Sequence, residues 1–214
     1  MLGFDFGQVV TIFGVLIFSL TVHESAHAWT AWRLGDSTAQ RLGRISLNPI
    51  VHVDPVGTFL LPLIAFTTGA PIIGWAKPVP VNPDRLEHPR RDFLYIAAAG
   101  PASNVLLAAL ASVVMRMAPV SPIDVGFGPG LPVWSIAATA FELNLLLAVF
   151  NMVPVPPLDG GNVLAGLLPP GLANVFDRVV RPWGFVLLYA LLLTGALSAL
   201  ITPPYLFLSW VLTR

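Results

Sequence analysis

Two histidines and a glutamate stand together at His23-Glu24-Ser25-Ala26-His27, inside the stretch "SLTVHESAHAWTAW". At i and i+4 the two imidazoles share one face of a helix, and Glu24 lies beside them. Two imidazoles so placed bind zinc at about 2.0–2.1 Å, and a neighbouring carboxylate takes a proton from the water such an ion activates. A hydrolytic zinc site needs a third protein ligand and leaves its fourth position to water. His52, Asp54, His88 and Asp159 are the candidates for that ligand. The alternative for the two histidines is helix packing through interhelical hydrogen bonds. Two histidines and a glutamate within an apolar helix are costly, so a functional reading is the default.

Asp159 has the most informative setting of the four. In "NLLLAVFNMVPVPPLDGGNVL" an apolar helix breaks at Pro154, Pro156 and Pro157 and then presents Leu158-Asp159-Gly160-Gly161. Helix breaks at membrane depth are tolerated where they line a cavity or ligand site. The alternative is that Asp159 simply caps the helix "GGNVLAGLL". Asn104 has two readings: a hydrogen-bond donor to a substrate or oxyanion, or interhelical packing through Gly100 and Ala102. Asn151 precedes the break within one turn and is a candidate to support the ligands or bind substrate. His52 and Asp54 sit beside Pro49 and Pro55, where cap hydrogen bonding is expected; support of the site or gating is the alternative for His52.

The elements that must hold these groups are membrane helices. The chain has 214 residues, 56% hydrophobic and 10% charged, with a mean hydropathy of +0.79. Soluble domains carry about 25% charged residues, so an integral membrane protein is implied. Net charge is zero and no basic patch with interleaved aromatics appears, so no nucleic-acid partner is expected. Cysteine is absent, which leaves histidine and carboxylates as metal ligands. No basic stretch precedes the first apolar segment, which is therefore expected to be retained.

Apolar segments lie at about 8–32, 57–74, 93–115, 133–153 and 183–213, against the roughly 20 residues a spanning helix needs. Segment 183–213 is expected to break at Pro203-Pro204, giving one helix followed by a short second one. Seven of the eleven basic residues fall between Arg33 and Arg91. The positive-inside rule places 33–91 and 170–182 in the cytoplasm, with the N-terminus and 116–132 outside. That holds if 57–74, interrupted by Gly57, Pro62, Gly69, Pro71 and Gly74, is re-entrant; a full span is the alternative. "GWAKPVPVNP" (74–83) reads as extended chain or an edge strand. The fold class is thus an all-α polytopic membrane protein with about 4–6 transmembrane helices and a small re-entrant or β-hairpin element on the cytoplasmic side. Residues 1–214 form one domain, with core helices at about 8–33, 92–117 and 132–154, a re-entrant or extended region at about 56–83, and C-terminal helices at about 183–213. His23 lies ten residues before Arg33, about 15 Å from the helix end.

With these motifs in order, the chain resembles the site-2 proteases, intramembrane zinc metalloproteases that cut transmembrane segments. "HESAH" matches HExxH, "AGPASN" (99–104) matches the start of the family's middle core helix, and "FNMVPVPPLDGG" (150–161) matches its second metal motif. "GRISLNPIVHVDPVGT" (43–58) is similar to the short bacterial and archaeal branch. Some family members carry a PDZ or CBS domain, and this chain has room for neither. The resemblance implies one zinc per chain on His23, His27 and Asp159, with Glu24 as general base. It implies a transmembrane protein substrate, a lipid bilayer, and a multi-pass protein of a prokaryotic cell membrane with its site in the cytoplasmic half. Oligomeric state is not legible in the residues. A membrane metal carrier or sensor using the same ligands is the rival; it would not need Glu24. Glu142 is an intramembrane acid outside these motifs.

Overall fold

A computed structural model describes residues 6–60, 76–118 and 133–214. The first helix, α1, runs over Phe6–Arg33 without a proline. At about 1.5 Å per residue it is long enough to cross a bilayer. Its end is marked by Arg33 stacked over the Trp29 ring at 5.7 Å, the aromatic–basic pairing that sits at a membrane–water interface. One further turn, α2, covers Thr38–Arg41. Short helical turns follow at Pro49–Val51 and Pro55–Leu60, and another at Pro83–Arg85.

The central helix, α3, spans Pro89–Met117. Pro89 occupies its first position, where the missing N–H costs nothing. Asp92 accepts the backbone N–H of His88 at 2.9 Å, which ties down the helix start. Next comes α4, Val133–Asn151, and after a proline-rich turn α5, Asp159–Leu167. The chain ends with α6, Pro170–Val175, α7, Gly184–Leu193, and α8, Ala196–Thr213. Four of these helices, α1, α3, α4 and α8, are long and apolar enough to span a membrane.

The helices come together on small residues. α3 packs against α1, α4 and α5, and the buried contact residues include Ala28 and Ala31 on α1, Ala97, Ala108 and Ala111 on α3, and Ala137 and Ala148 on α4. Small side chains let backbones approach closely where lipid offers no hydrophobic drive. Phe141 and Leu145 of α4 fill the space beside Ala108 and Ala111. α8 fully buries only Leu197; Ile201, Tyr205, Leu208 and Leu212 pack partly buried against the core, while Leu200, Leu206, Phe207, Trp210 and Val211 are exposed.

Two expectations meet the structure differently. The C-terminal break lies at Thr194–Gly195, where Gly195 takes φ +76°, and the short helix precedes the long one. Pro203 and Pro204 lie inside α8, as membrane helices allow. The re-entrant reading of 56–83 falls mainly on 61–75, outside the described residues. Among the described residues no strand forms, and 76–82 is irregular chain.

Candidate metal centre

α1 carries His23 and His27 inward against α3, both buried. The His27 Nδ1 lies 2.6 Å from the carbonyl oxygen of Ile96 on α3. A carbonyl only accepts, so Nδ1 holds the proton and donates it, and Nε2 is left as a lone pair. The His23 Nδ1 lies 2.6 Å from Oδ1 of Asn104, which places its proton in the same way. The two Nε2 atoms then face each other at 3.0 Å.

Asp159 completes the group. Its Oδ2 lies 3.1 Å from Nε2 of His23 and 3.4 Å from Nε2 of His27. The same oxygen is buried and takes part in no hydrogen bond. Three atoms able to ligate a metal thus converge, all within 4.8 Å of one another. Ligand atoms on a tetrahedral zinc ion stand about 3.3–3.4 Å apart, given bonds of about 2.0–2.1 Å. The triangle fits that set, and the chemistry of the donors, two imidazoles and a carboxylate, is a zinc set. Among the described residues this is the group of His, Asp or Glu side chains able to hold a metal ion.

The delivery of Asp159 follows from the broken helix. α4 stops at Asn151, and the turn through Met152–Pro157 reverses into α5. Leu158 takes the cap position of α5, and Asp159 is its first helical residue. The capping alternative for Asp159 is therefore not what forms. Gly160 lets the turn fold back: a Cβ there would lie 2.3 Å from the Met152 carbonyl oxygen.

Glu24, on the turn of α1 between the two histidines, lines a cavity of about 530 Å³ together with His23, His27 and Asp159. Asn151 lines it too, with its Nδ2 donating to the Leu147 carbonyl at 3.0 Å. Another wall comes from the irregular segment, through Val79 and Val81. That segment is held at both ends. The Lys77 N–H donates to the His52 carbonyl at 2.8 Å, and the Asn82 N–H donates to Oδ2 of Asp36 at 2.7 Å. Asp36 is fully buried from solvent and also accepts from the Thr38 N–H and hydroxyl. Burial alone would raise its carboxyl, but these hydrogen bonds to the charged form outweigh it and hold Asp36 below the usual carboxylate range.

His52 does not reach the metal group. Its Nε2 lies 2.8 Å from the Ser46 carbonyl and 3.3 Å from the Ser25 hydroxyl, which itself donates to Ser46 at 2.6 Å. The imidazole thereby fastens the 44–52 loop to α1 one residue beyond Glu24. Asp54 caps the Pro55 turn through the Val56 and Gly57 N–H groups, and His88 is the cap residue of α3. Neither joins the site. Glu142 lies at a separate cavity of about 420 Å³, with Thr139, Thr202 and Tyr205.

Gly100 and Asn104 stand in the AGPASN motif, whereas the Ile96 carbonyl, Asn144 and Ser19 are absent from the motif reading. The Ile96 carbonyl, Gly100 and Asn104 recur every four residues and form one face of α3 against the two imidazoles. Behind Asn104 stand Asn144 of α4 and Ser19 of α1, joined to it by hydrogen bonds. The helical spacing of 96, 100 and 104 was available in the sequence; the carbonyl's role was not.

Comparison with known proteins gives consistent relatives. "Putative zinc metalloprotease YwhC" of Bacillus subtilis is 35% identical over 194 residues, covering 88% of this chain and 82% of that protein. "Putative zinc metalloprotease Rip2" of Mycolicibacterium smegmatis is 31% identical over 195 residues, covering 90% and 70%. Its namesake in Mycobacterium tuberculosis is 32% identical over 195 residues, with the same coverage. No family model matches the chain, and no solved structure matches it.

Proposed function

The chain belongs to the site-2 protease family of zinc metalloproteases, and from that premise we propose that it hydrolyses a peptide bond in or beside the transmembrane segment of a membrane protein. The observation that carries this reading is the convergence of His23, His27 and Asp159 within 3.0–3.4 Å of one another, on the wall of the cavity that Glu24 lines. We assign His23, His27 and Asp159 as ligands of one zinc ion and Glu24 as general base.

When bound there, zinc polarises the scissile carbonyl and lowers the pKa of water toward about 7. The carboxylate of Glu24 accepts the proton of the attacking water and returns it to the amide nitrogen as the C–N bond breaks. Glu24 and Asp159 together carry the two negative charges that balance a divalent ion, so the buried set has no net charge. A helical substrate hides its carbonyls in i to i−4 hydrogen bonds, so it must unwind locally before attack. The extended chain it becomes fits against the segment of Val79 and Val81, with the Asn151 amide at the other wall. The basic residues of 33–91 support an orientation with the site in the cytoplasmic half of the cell membrane and water entering from that side.

The test is zinc content and cleavage measured together, in detergent or liposomes, on a panel of single-span membrane proteins. Wild type should hold about one zinc and show cleavage that a chelator stops. Glu24→Gln should keep zinc and lose cleavage by at least about 100-fold. His23→Ala or Asp159→Ala should lose both. Undiminished proteolysis by Glu24→Gln would refute its role, and zinc-dependent transport without cleavage would favour the carrier reading.

A further inference from the structure

The two imidazoles of the metal group are oriented by partners of different kinds. His27 is held by a backbone carbonyl, which accepts and does nothing else. His23 is held by a carboxamide, which offers an acceptor on one side and a donor on the other. If the Asn104 amide turned over, its NH2 would face the His23 Nδ1. That nitrogen would become the acceptor, and the proton would move to Nε2, the atom that faces His27 and Asp159. Something must therefore fix the direction of the Asn104 amide.

The structure supplies it one layer further out. Nδ2 of Asn104 donates to Oδ1 of Asn144 at 2.8 Å. Nδ2 of Asn144 donates to the Ala140 carbonyl at 2.8 Å and to the Ser19 hydroxyl at 2.9 Å. The Ala140 carbonyl only accepts, so it sets the direction of Asn144, which sets Asn104, which sets His23. All three side chains, Ser19, Asn104 and Asn144, are buried within the helix bundle, where a mismatched amide would leave polar atoms unpaired.

We infer that Asn144 is a positioning residue for the metal centre: through Asn104 it holds the His23 proton on Nδ1 and leaves Nε2 free to bind the ion. This rests on the zinc reading given above. Partners of this kind, hydrogen-bonded to a ligating histidine, alter metal affinity by about 10–100-fold. Asn144 stands one bond further away than Asn104, so the lower end applies.

The experiment measures zinc affinity by chelator competition and the ligand-field absorption of the Co²⁺ form, on wild type and variants in detergent. Asn144→Ala should weaken zinc binding about tenfold and broaden the Co²⁺ bands. The double variant Asn144→Ala/Asn104→Asp should recover both, because a carboxylate accepts from His23 with either oxygen and has no direction to set. Should Asn144→Ala fail to fold, Asn144→Ser replaces it; its hydroxyl donates or accepts and so cannot fix the amide. Wild-type affinity in either Asn144 variant overturns the inference. So does a loss that Asn104→Asp does not restore, which marks a packing defect. Absence of zinc from wild type would instead remove the premise, so the two failures are distinguishable.

Discussion

Gly100→Ala separates the metal group from the fold that carries it. A Cβ at position 100 would lie 2.4 Å from Nε2 of His27, 2.5 Å from Cε1 of His23 and 2.6 Å from its Nε2. Ordinary contact needs about 3.5 Å, so each ring must retreat by about 1 Å. Metal–ligand distances tolerate about 0.2 Å. The imidazoles are held at Nδ1 by Ile96 and Asn104, both on the helix that carries the new methyl group. They cannot retreat from α3 and keep those bonds. Zinc affinity should fall by at least about 100-fold, the upper end for disturbing a histidine ligand's surroundings, or about 2.8 kcal/mol at 1.4 kcal/mol per decade. The intrinsic backbone effect runs the other way, since alanine is favoured over glycine in a helix by about 1 kcal/mol. Chelator competition measures the first quantity, and thermal unfolding of the metal-free protein checks that the bundle persists. A Gly100→Ala protein that binds zinc as tightly as wild type would refute the placement of the two rings against α3.

Other consequences can be measured on the same preparations. Asp36→Ala removes an acceptor from the Thr38 N–H, the Thr38 hydroxyl and the Asn82 N–H, and should cost about 2 kcal/mol, in the range for hydrogen bonds to a charged group. Because the folded state holds Asp36 below its ordinary range, this contribution is fully present above the unfolded carboxylate value of about 3.9 and is lost as pH falls through the lower folded value. The stability difference between wild type and Asp36→Ala should therefore shrink on acidification below about pH 4; a difference that stays constant would contradict the assignment. Ser25→Ala breaks the bond to the Ser46 carbonyl and should loosen the 44–52 loop by about 1 kcal/mol, seen as faster limited proteolysis there with zinc content unchanged.

The convergence of His23, His27 and Asp159 was legible because each stands in a recognisable local setting. His23 and His27 share a five-residue motif, and Asp159 follows Pro154, Pro156 and Pro157, where α4 has ended. The four apolar helices were legible from length and composition, and α1, α3 and α4 fall within a few residues of the expected bounds. The C-terminal break differs from the expected one because proline in an apolar membrane helix does not break it as in a soluble helix. In α8 Pro203 and Pro204 sit inside the helix, and the chain reverses at Gly195 instead. The alternating valines and prolines of 74–83 suggest extended chain or an edge strand. Pro78 and Pro80 remove two N–H groups, and the flanking N–H groups of Lys77 and Asn82 go to His52 and Asp36, so no ladder forms among the described residues.

What no spacing rule could supply is the layer behind the ligands. Asn104 and Asn144 are polar residues in apolar helices, 40 positions apart, and Ser19 lies 125 positions from Asn144. In sequence each reads as one costly exception. In the bundle each satisfies the next, and the cost of burial is met only because all three meet at one level. The same layer explains why α3 is central. From one face it offers a carbonyl to His27, space at Gly100 to both rings, and an amide to His23. α1 and α5 bear the three converging side chains, and α3, which bears none, sets where the imidazole protons sit. The Ile96 carbonyl and the Asn104 amide are buried with the rings they hold, so the placement of those protons is built into the packing itself.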